Sequence, residues 1–196
     1  MKILSEKIGV IFSKIIPSPN AWTTISLFFA AFGFWSLLKN NLLIGLILFL
    51  IAGLFDKVDG LVARTLKKET PLGAFLDGVI DRYVETFLFL GLFLYVSQAK
   101  ADFSLMDCFW FFLLIFGSLM TPFIKAYADH RKLITDPDKL DKMKGFFSRA
   151  IRLGLIYFGM LFSLFYPDSL MSFIIVIAIL SNLAVLQRIR LAIKLI

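Results

Sequence analysis

The sequence predicts an all-α, polytopic membrane protein with six transmembrane helices and an interfacial amphipathic helix at the amino terminus. Three observations support this prediction. Hydrophobic residues make up 59% of the 196-residue chain, compared with roughly 45–50% in soluble domains. Several apolar runs approach the ~20 residues that a helix needs to cross a bilayer. Apolar residues near the amino terminus recur at helical spacing with lysines among them, as in helices that lie on a membrane surface.

The predicted elements follow one another along a single membrane domain that covers residues 1–196. Residues 1–17 form the interfacial helix, whose pattern consists of Ile3, Leu4, Ile8, Ile11, Phe12 and Ile15 with Lys2, Lys7 and Lys14. Ser18, Pro19 and Asn20 break this helix, and residues 18–196 form the six-helix core. The membrane helices are predicted at 21–38, 42–66, 71–97, 105–129, 147–165 and 169–192, with one polar loop at 130–144.

Basic residues are distributed unevenly between the predicted loops. If the amino terminus is cytoplasmic, all of the 21 lysines and arginines except Lys39 and Lys100 lie on the cytoplasmic side. Because Lys and Arg concentrate on that side of membrane proteins, both termini and the charged helix ends are predicted to be cytoplasmic. In so hydrophobic a chain, a net charge of +7 suits lipid headgroups and phosphorylated substrates better than nucleic acid.

Four aspartates interrupt two of the predicted membrane helices. Asp56 and Asp59 are three residues apart, and Asp77 and Asp81 are four apart, so each pair lies on one helix face. A short hairpin would turn the two faces together. Carboxylates at the edge of a low-dielectric region need a cation, and oxygen ligands favour Mg²⁺ or Mn²⁺ over zinc. Four carboxylates exceed what one ion requires, which favours a two-metal site for phosphotransfer.

Small and basic residues accompany the aspartates. Gly60 and Ala63 lie on or near the acidic face, where their minimal side chains would let a nucleotide approach the backbone. Arg64, one turn beyond Gly60, can bind a phosphate with two hydrogen bonds. Two other interpretations remain open. Intramembrane carboxylates also serve proton- or cation-coupled transporters. In a structural membrane scaffold, the aspartates would form contacts between helices, and the small residues would serve only close helix packing.

Eight positions resemble the signature of the CDP-alcohol phosphotransferase (CDP-alcohol phosphatidyltransferase) family: Asp56, Asp59, Gly60, Ala63, Arg64, Gly73, Asp77 and Asp81. The resemblance implies six transmembrane helices, a homodimer and a cytosol-facing cavity open to the bilayer. It implies that the four aspartates hold the metal ions and that Asp81 is also the general base for the acceptor hydroxyl. The implied CDP-donor ligands are Asn20, Thr23, Asp56, Gly60, Arg64 and Thr70.

The carboxyl-terminal half carries the evidence about the acceptor alcohol, which the signature does not identify. Residues 125–129, 148–153 and 186–188 resemble elements of the inositol-phosphate-using members of the family, with departures at Tyr127, Asp129 and Ile151. Cations in these stretches could gather around an acceptor phosphate, although each alone could instead meet lipid headgroups. The candidate acceptor phosphate ligands are Lys125, Arg149, Arg152 and Arg188.

The function implied by the resemblance is phospholipid synthesis. A diacylglycerol or archaeol phosphate group would pass from a CDP-lipid to 1L-myo-inositol 1-phosphate, with release of CMP and with two Mg²⁺ ions as cofactors. Glycerol 3-phosphate and serine are alternative acceptors. A soluble CDP-inositol donor, which would yield a di-inositol phosphate compatible solute, is an alternative donor.

Overall fold

Every regular element in the described part of the chain is an α-helix, which confirms the all-α prediction. The computed structural model describes residues 2–143 and 145–195, with side chains from residue 7 onward. In chain order, the helices of this part are α1 (Lys2–Ile15), α2 (Pro19–Leu38), α3 (Leu42–Leu66), α4 (Pro71–Ala99), α5 (Leu105–His130), α6 (Pro137–Lys142), α7 (Arg149–Ser163) and α8 (Ser169–Lys194).

A helix occupies each of the six apolar runs, and α1 occupies the amino-terminal segment. Among the described residues, α2, α5 and α8 are long and apolar enough to cross a membrane by length and composition; six spans stay a prediction. The interfacial role of α1 also stays a prediction. The side chains of Lys2, Ile3 and Leu4 lie outside the described residues, as do Met1 and Ile196 at the ends of the predicted single domain.

The short helix α6 lies inside the stretch predicted to be a loop, so that prediction was incomplete. Asp136 is the N-cap residue of α6, because its side chain accepts a hydrogen bond from the backbone N–H of Asp138, and Pro137 occupies the first turn. Six residues are too few for a clear helical period, so the Asp-Pro start signal was the evidence available in the sequence.

The chain forms two compact units, Met1–Tyr95 and Val96–Ile196. In the first unit α2 and α1 both pack on α3. A methyl group at Gly9 of α1 would overlap the Oγ1 atom of Thr65 and lie 3.0 Å from the carbonyl oxygen of Leu61, so glycine is what allows this close approach. The Trp22 ring lies between Phe12, at 5.2 Å, and Phe55, at 5.4 Å.

A four-residue turn connects α3 to α4 within the first unit. Lys67 ends α3 in the left-handed conformation, with φ of 52°, and the Lys68 N–H donates to the Ala63 carbonyl at 2.9 Å. Thr70 then begins α4 by accepting a hydrogen bond from the Gly73 N–H at 3.0 Å, and Pro71 is the first helical residue. These capping contacts reverse the chain sharply.

In the second unit α8 packs against α5 and α7. The Asn182 amide of α8 donates to the Leu113 carbonyl of α5 at 2.9 Å and to the Ala178 carbonyl of its own helix at 2.8 Å. A Cβ atom at Gly117 would lie 2.8 Å from the Cβ of Ser181. Small residues and a polar side chain therefore join α5 and α8, as is common between helices in membranes.

The start of α5 is held by a capping box and an ion pair. The Ser104 side chain accepts from the Asp107 N–H, and the Asp107 carboxylate accepts from the Ser104 N–H at 2.8 Å. The Lys100 ammonium lies 2.9 and 3.0 Å from the two oxygens of the same carboxylate. This hydrogen bond raises the pKa of Lys100 above its ordinary value.

We expect Asp107→Ala to lower the free energy of unfolding by about 1–2 kcal/mol, because it removes the reciprocal half of the cap, in which the Asp107 carboxylate accepts from the Ser104 N–H. The control is Asp102→Ala, which removes a carboxylate that is 88% exposed and 4.0 Å from Lys100. Thermal unfolding of both purified variants measures the difference. Equal unfolding midpoints for the two variants would contradict the assigned role of the cap.

Candidate active site

Three aspartates from two helices converge at one point of the first unit. Asp56 of α3 and Asp77 and Asp81 of α4 each place a carboxylate oxygen within 4.8 Å of the others, and all three side chains are partly buried. The i, i+4 spacing aligns Asp77 with Asp81 on one face of α4, and the turn after α3 brings that face to Asp56. The predicted meeting of the two acidic faces is therefore observed for these three residues.

The fourth aspartate, Asp59, lies one helical turn from Asp56 and is only 6% exposed. Its Oδ2 atom accepts a hydrogen bond from the Thr23 hydroxyl of α2 at 2.7 Å. Thr23 is itself only 5% exposed. A buried carboxylate needs hydrogen-bond partners, and Thr23 provides one that orients Asp59. The start of α2 is therefore part of the site.

A cavity of about 210 Å³ adjoins the acidic residues. Its walls come from the start of α2, the second half of α3, the turn and the start of α4, and both Asp59 and Asp77 line it. Four residues predicted to bind the CDP donor are also in its wall: Asn20, Thr23, Gly60 and Thr70. Four of the six donor ligands implied by the family resemblance thus line one cavity, and the roles of all six stay predictions.

Gly60 lies in the cavity wall and presents backbone without a side chain there. The three atoms nearest to a Cβ atom at this position would all belong to the guanidinium of Arg64, with both terminal nitrogens at 3.7 Å. Arg64 is exposed and is not part of the cavity wall as described. Its guanidinium therefore lies beside the uncovered backbone, within reach of a ligand that rests on Gly60.

Two charged residues of the cavity wall, Lys68 and Glu69, were not predicted. Lys68 is tied to the segment before α2, because its ammonium donates to the Pro17 carbonyl at 3.3 Å. The only available signal was position, since both residues lie in the turn between the two halves of the aspartate pattern. Their charges place a cation and an anion at the rim formed by that turn.

Arginine lies next to the acidic group as a partial counter-charge. The Arg82 guanidinium is 3.6 Å from a carboxylate oxygen of Asp81 and 3.5 Å from one of Glu85. Arg82 is thus shared between two carboxylates, one of which belongs to the cluster. The donor set of the cluster consists only of carboxylate oxygens, which is the set that Mg²⁺ and Mn²⁺ prefer, so the residues present fit a divalent cation.

The predicted acceptor ligands all lie in the second unit, in different local settings. Lys125 of α5 forms an ion pair with Asp141 of α6 at 2.9 Å. Arg149 is partly buried in the first turn of α7, and Arg152 is 1% exposed. Arg188 of α8 donates from Nη1 to the Thr121 carbonyl at 2.6 Å.

Comparisons with known proteins agree with this geometry. A model of the CDP-alcohol phosphatidyltransferase family matches residues 17–187. Archaetidylinositol phosphate synthase of Aeropyrum pernix is 26% identical over 126 residues, covering 64% of this chain and 60% of that protein. The Pyrococcus horikoshii protein of the same name is 29% identical over 127 residues, covering 63% and 62%. The chain thus spans less than two thirds of the length of these curated relatives.

Solved structures show the same fold over nearly the whole chain. Phosphatidylinositol phosphate synthase of Mycobacterium tuberculosis with CDP-DAG bound matches with a TM-score of 0.82 at 23% identity, covering 96% of this chain and 92% of that one. Its complex with manganese and citrate gives a TM-score of 0.82 at 24% identity, covering 97% and 89%. Since the family model spans the aspartate pattern and most of the sequence on both sides of it, this chain belongs to the CDP-alcohol phosphatidyltransferase family.

Proposed function

We propose that this protein is a metal-dependent transferase of phospholipid synthesis, which transfers a diacylglycerol or archaeol phosphate group from a CDP-lipid to 1L-myo-inositol 1-phosphate and releases CMP. The observation that carries the proposal is the clustering of Asp56, Asp77 and Asp81 oxygens within 4.8 Å, next to a cavity lined by Gly60 and Thr70. A cation-binding cluster beside an open cavity is the arrangement that transfer from a diphosphate requires.

The metal ligands of the proposal are Asp56, Asp59, Asp77 and Asp81, and the cofactor is Mg²⁺, with two ions and with Mn²⁺ as a substitute. A bound divalent ion would neutralise the carboxylates and stabilise negative charge on the diphosphate oxygens. Asp59 is held for this role by the hydroxyl of Thr23, at 2.7 Å. The relative solved with manganese supports the choice of a divalent cation.

The side chains of this chain supply binding, orientation and proton transfer. Asn20, Gly60 and Thr70 would bind the CDP group in the cavity, and Arg64 would bind a phosphate beside the uncovered backbone at Gly60. Asp81 would accept the proton of the acceptor hydroxyl. The hydroxyl oxygen then bonds to the β-phosphorus, the bond from that phosphorus to the bridging oxygen breaks, and CMP leaves with the bridging oxygen.

Inositol 1-phosphate is the proposed acceptor because of the cations in the second unit. Arg152 is almost fully buried and Arg188 is partly buried, and a phosphate dianion would form charge-assisted hydrogen bonds with their guanidinium groups. Lys125 and Arg149 complete the proposed set. The names of the Aeropyrum and Pyrococcus relatives support an inositol phosphate acceptor. A neutral or zwitterionic alcohol would offer these cations no comparable partner.

The proposal includes a setting in the membrane. Six helices, α2, α3, α4, α5, α7 and α8, would span the bilayer, with both termini and the acidic site on the cytoplasmic side, and the protein would work as a homodimer. The excess of basic residues at one set of helix ends supports this orientation. The donor is a lipid, so a site at the membrane surface gives it direct access.

We expect purified protein with Mg²⁺ and a CDP-lipid to release CMP when inositol 1-phosphate is added, and Asp81→Asn to reduce this rate at least ~100-fold, because the amide cannot accept the proton. Glycerol 3-phosphate, serine and free inositol are tested in parallel, and CDP-inositol replaces the lipid donor in one arm. Asp102→Asn, which changes an exposed carboxylate, is the control. Release with serine or free inositol alone would contradict the phosphorylated acceptor.

Removal of divalent cations should abolish CMP release, and Mg²⁺ should restore it, because the aspartate cluster binds the catalytic ion. In the absence of substrate, Mg²⁺ or Mn²⁺ should raise the midpoint of thermal unfolding. Asp56→Asn should remove most of this shift, since it deletes one charge from the cluster, while Asp102→Asn should keep it. An unchanged metal-induced shift in Asp56→Asn would show that the ion binds elsewhere.

Changing Arg188→Gln should raise the KM for inositol 1-phosphate by about tenfold or more, the expected effect of losing a charge-assisted hydrogen bond. The KM for the CDP-lipid should stay within about twofold of the wild-type value, because Arg188 belongs to the proposed acceptor ligands. Arg190→Gln, which changes an exposed arginine of the same helix, is the matched control. Equal effects of the two substitutions would contradict a specific role for Arg188.

A further inference from the structure

The segment that leads into α7 is attached to α8 beside Arg188. The Phe146 N–H donates to the side-chain oxygen of Gln187 at 2.9 Å. The next side chain, Phe147, is 2% exposed, and Ser148 caps α7 by accepting from the Ile151 N–H at 3.4 Å. A hydrogen bond, a buried ring and a helix cap thus fix the path of residues 145–148 over this part of α8.

Gly145 brings the backbone of this segment against the guanidinium group. A Cβ atom added at Gly145 would lie 3.1 Å from Nε of Arg188 and 3.3 Å from the Gln187 side-chain oxygen. Both distances are tighter than ordinary van der Waals contact, so a larger residue would push on the two side chains. Gly145 has no positive φ, so the requirement for glycine comes from this close approach and not from backbone conformation.

The other side of the guanidinium is held by α5. The Nη1 atom of Arg188 donates to the Thr121 carbonyl at 2.6 Å, and Thr121 is 3% exposed. The Nε atom is buried and has no hydrogen-bond partner in the part of the chain that the structure describes. Arg188 is therefore confined between the Gly145 backbone and α5 while its charge stays unneutralised by either contact.

From these contacts we infer that Gly145 and Gln187 are positioning residues, which hold the Arg188 guanidinium in the orientation that binds the phosphate group of the acceptor. The inference rests on the proposed function, in which Arg188 is an acceptor ligand. An arginine free to change rotamer loses conformational entropy when it binds a phosphate, and a pre-oriented one loses less. Gln187 fixes the backbone of the segment by accepting a hydrogen bond from the Phe146 N–H. Gly145, which has no side chain, leaves room for the Arg188 guanidinium.

The expected signature is a selective loss of acceptor affinity. Gly145→Ala pushes on Arg188, and Gln187→Met keeps the size of the side chain but removes the acceptor for the Phe146 N–H. Each substitution should raise the KM for inositol 1-phosphate about tenfold, with kcat and the KM for the CDP-lipid close to those of the wild type. A merely structural defect would change both KM values and the unfolding midpoint together.

The matched control is Gly154→Ala, in α7 of the same unit, because a Cβ atom there would meet nothing within 4 Å. The experiment measures both KM values, kcat and the midpoint of thermal unfolding with and without inositol 1-phosphate or inorganic phosphate. We expect the wild type and Gly154→Ala to be stabilised by inositol 1-phosphate and the two test variants to lose most of that stabilisation.

Two results would overturn the inference, and they are distinguishable from each other. In the first, the protein uses inositol 1-phosphate, but Gly145→Ala and Gln187→Met both keep the wild-type KM for it. This result would contradict the positioning role and leave the proposed function intact. A wild-type protein that neither uses a phosphorylated acceptor nor is stabilised by inositol 1-phosphate or inorganic phosphate would remove the proposed acceptor, and the positioning role with it.

Discussion

Electrostatic repulsion within the acidic cluster is the constraint on which the rest of the first unit depends. Three carboxylate oxygens within 4.8 Å of one another, on helices rich in apolar residues, repel each other and lose hydration on folding. Packing elsewhere must supply the free energy that holds them together. The packing of α2 and α1 on α3, the aromatic contacts of Trp22 and the capped turn before α4 provide it. A bound divalent cation would offset this repulsion.

The same packing also sets the shape of the site. Trp22 and Thr23 are neighbours on α2, and both are buried. Trp22 anchors the helix through its ring contacts and by donating to the Ile16 carbonyl at 3.1 Å, while Thr23 reaches Asp59. The residue that stabilises the helix and the residue that orients a carboxylate are thus adjacent in sequence. A shift of α1 or α2 against α3 would therefore move Thr23 and, through its hydrogen bond, the carboxylate of Asp59.

Local patterns were sufficient to predict the parts of this protein that depend on sequence neighbours. The i, i+3 and i, i+4 spacing of the aspartates gave the acidic faces, and the hairpin needed only a short turn between them. Contacts between distant residues were different. The hydrogen bond from Thr23 to Asp59 spans 36 residues, and the ion pair of Lys125 involves Asp141 on a helix that the sequence pattern did not reveal. Neither has a periodic signal, because both depend on how the helices pack.

Selectivity for a phosphorylated acceptor depends on which cationic side chains already pair with an anionic side chain of the protein. Lys125 meets a carboxylate in Asp141, so an incoming phosphate must compete with that partner. Arg188 meets a neutral carbonyl and the uncharged Gly145 backbone. Neither contact cancels its charge, so an anion gains more at Arg188 than at Lys125. Under the proposed function, discrimination against neutral alcohols therefore resides mainly in α8 and in the segment that holds its arginine in place.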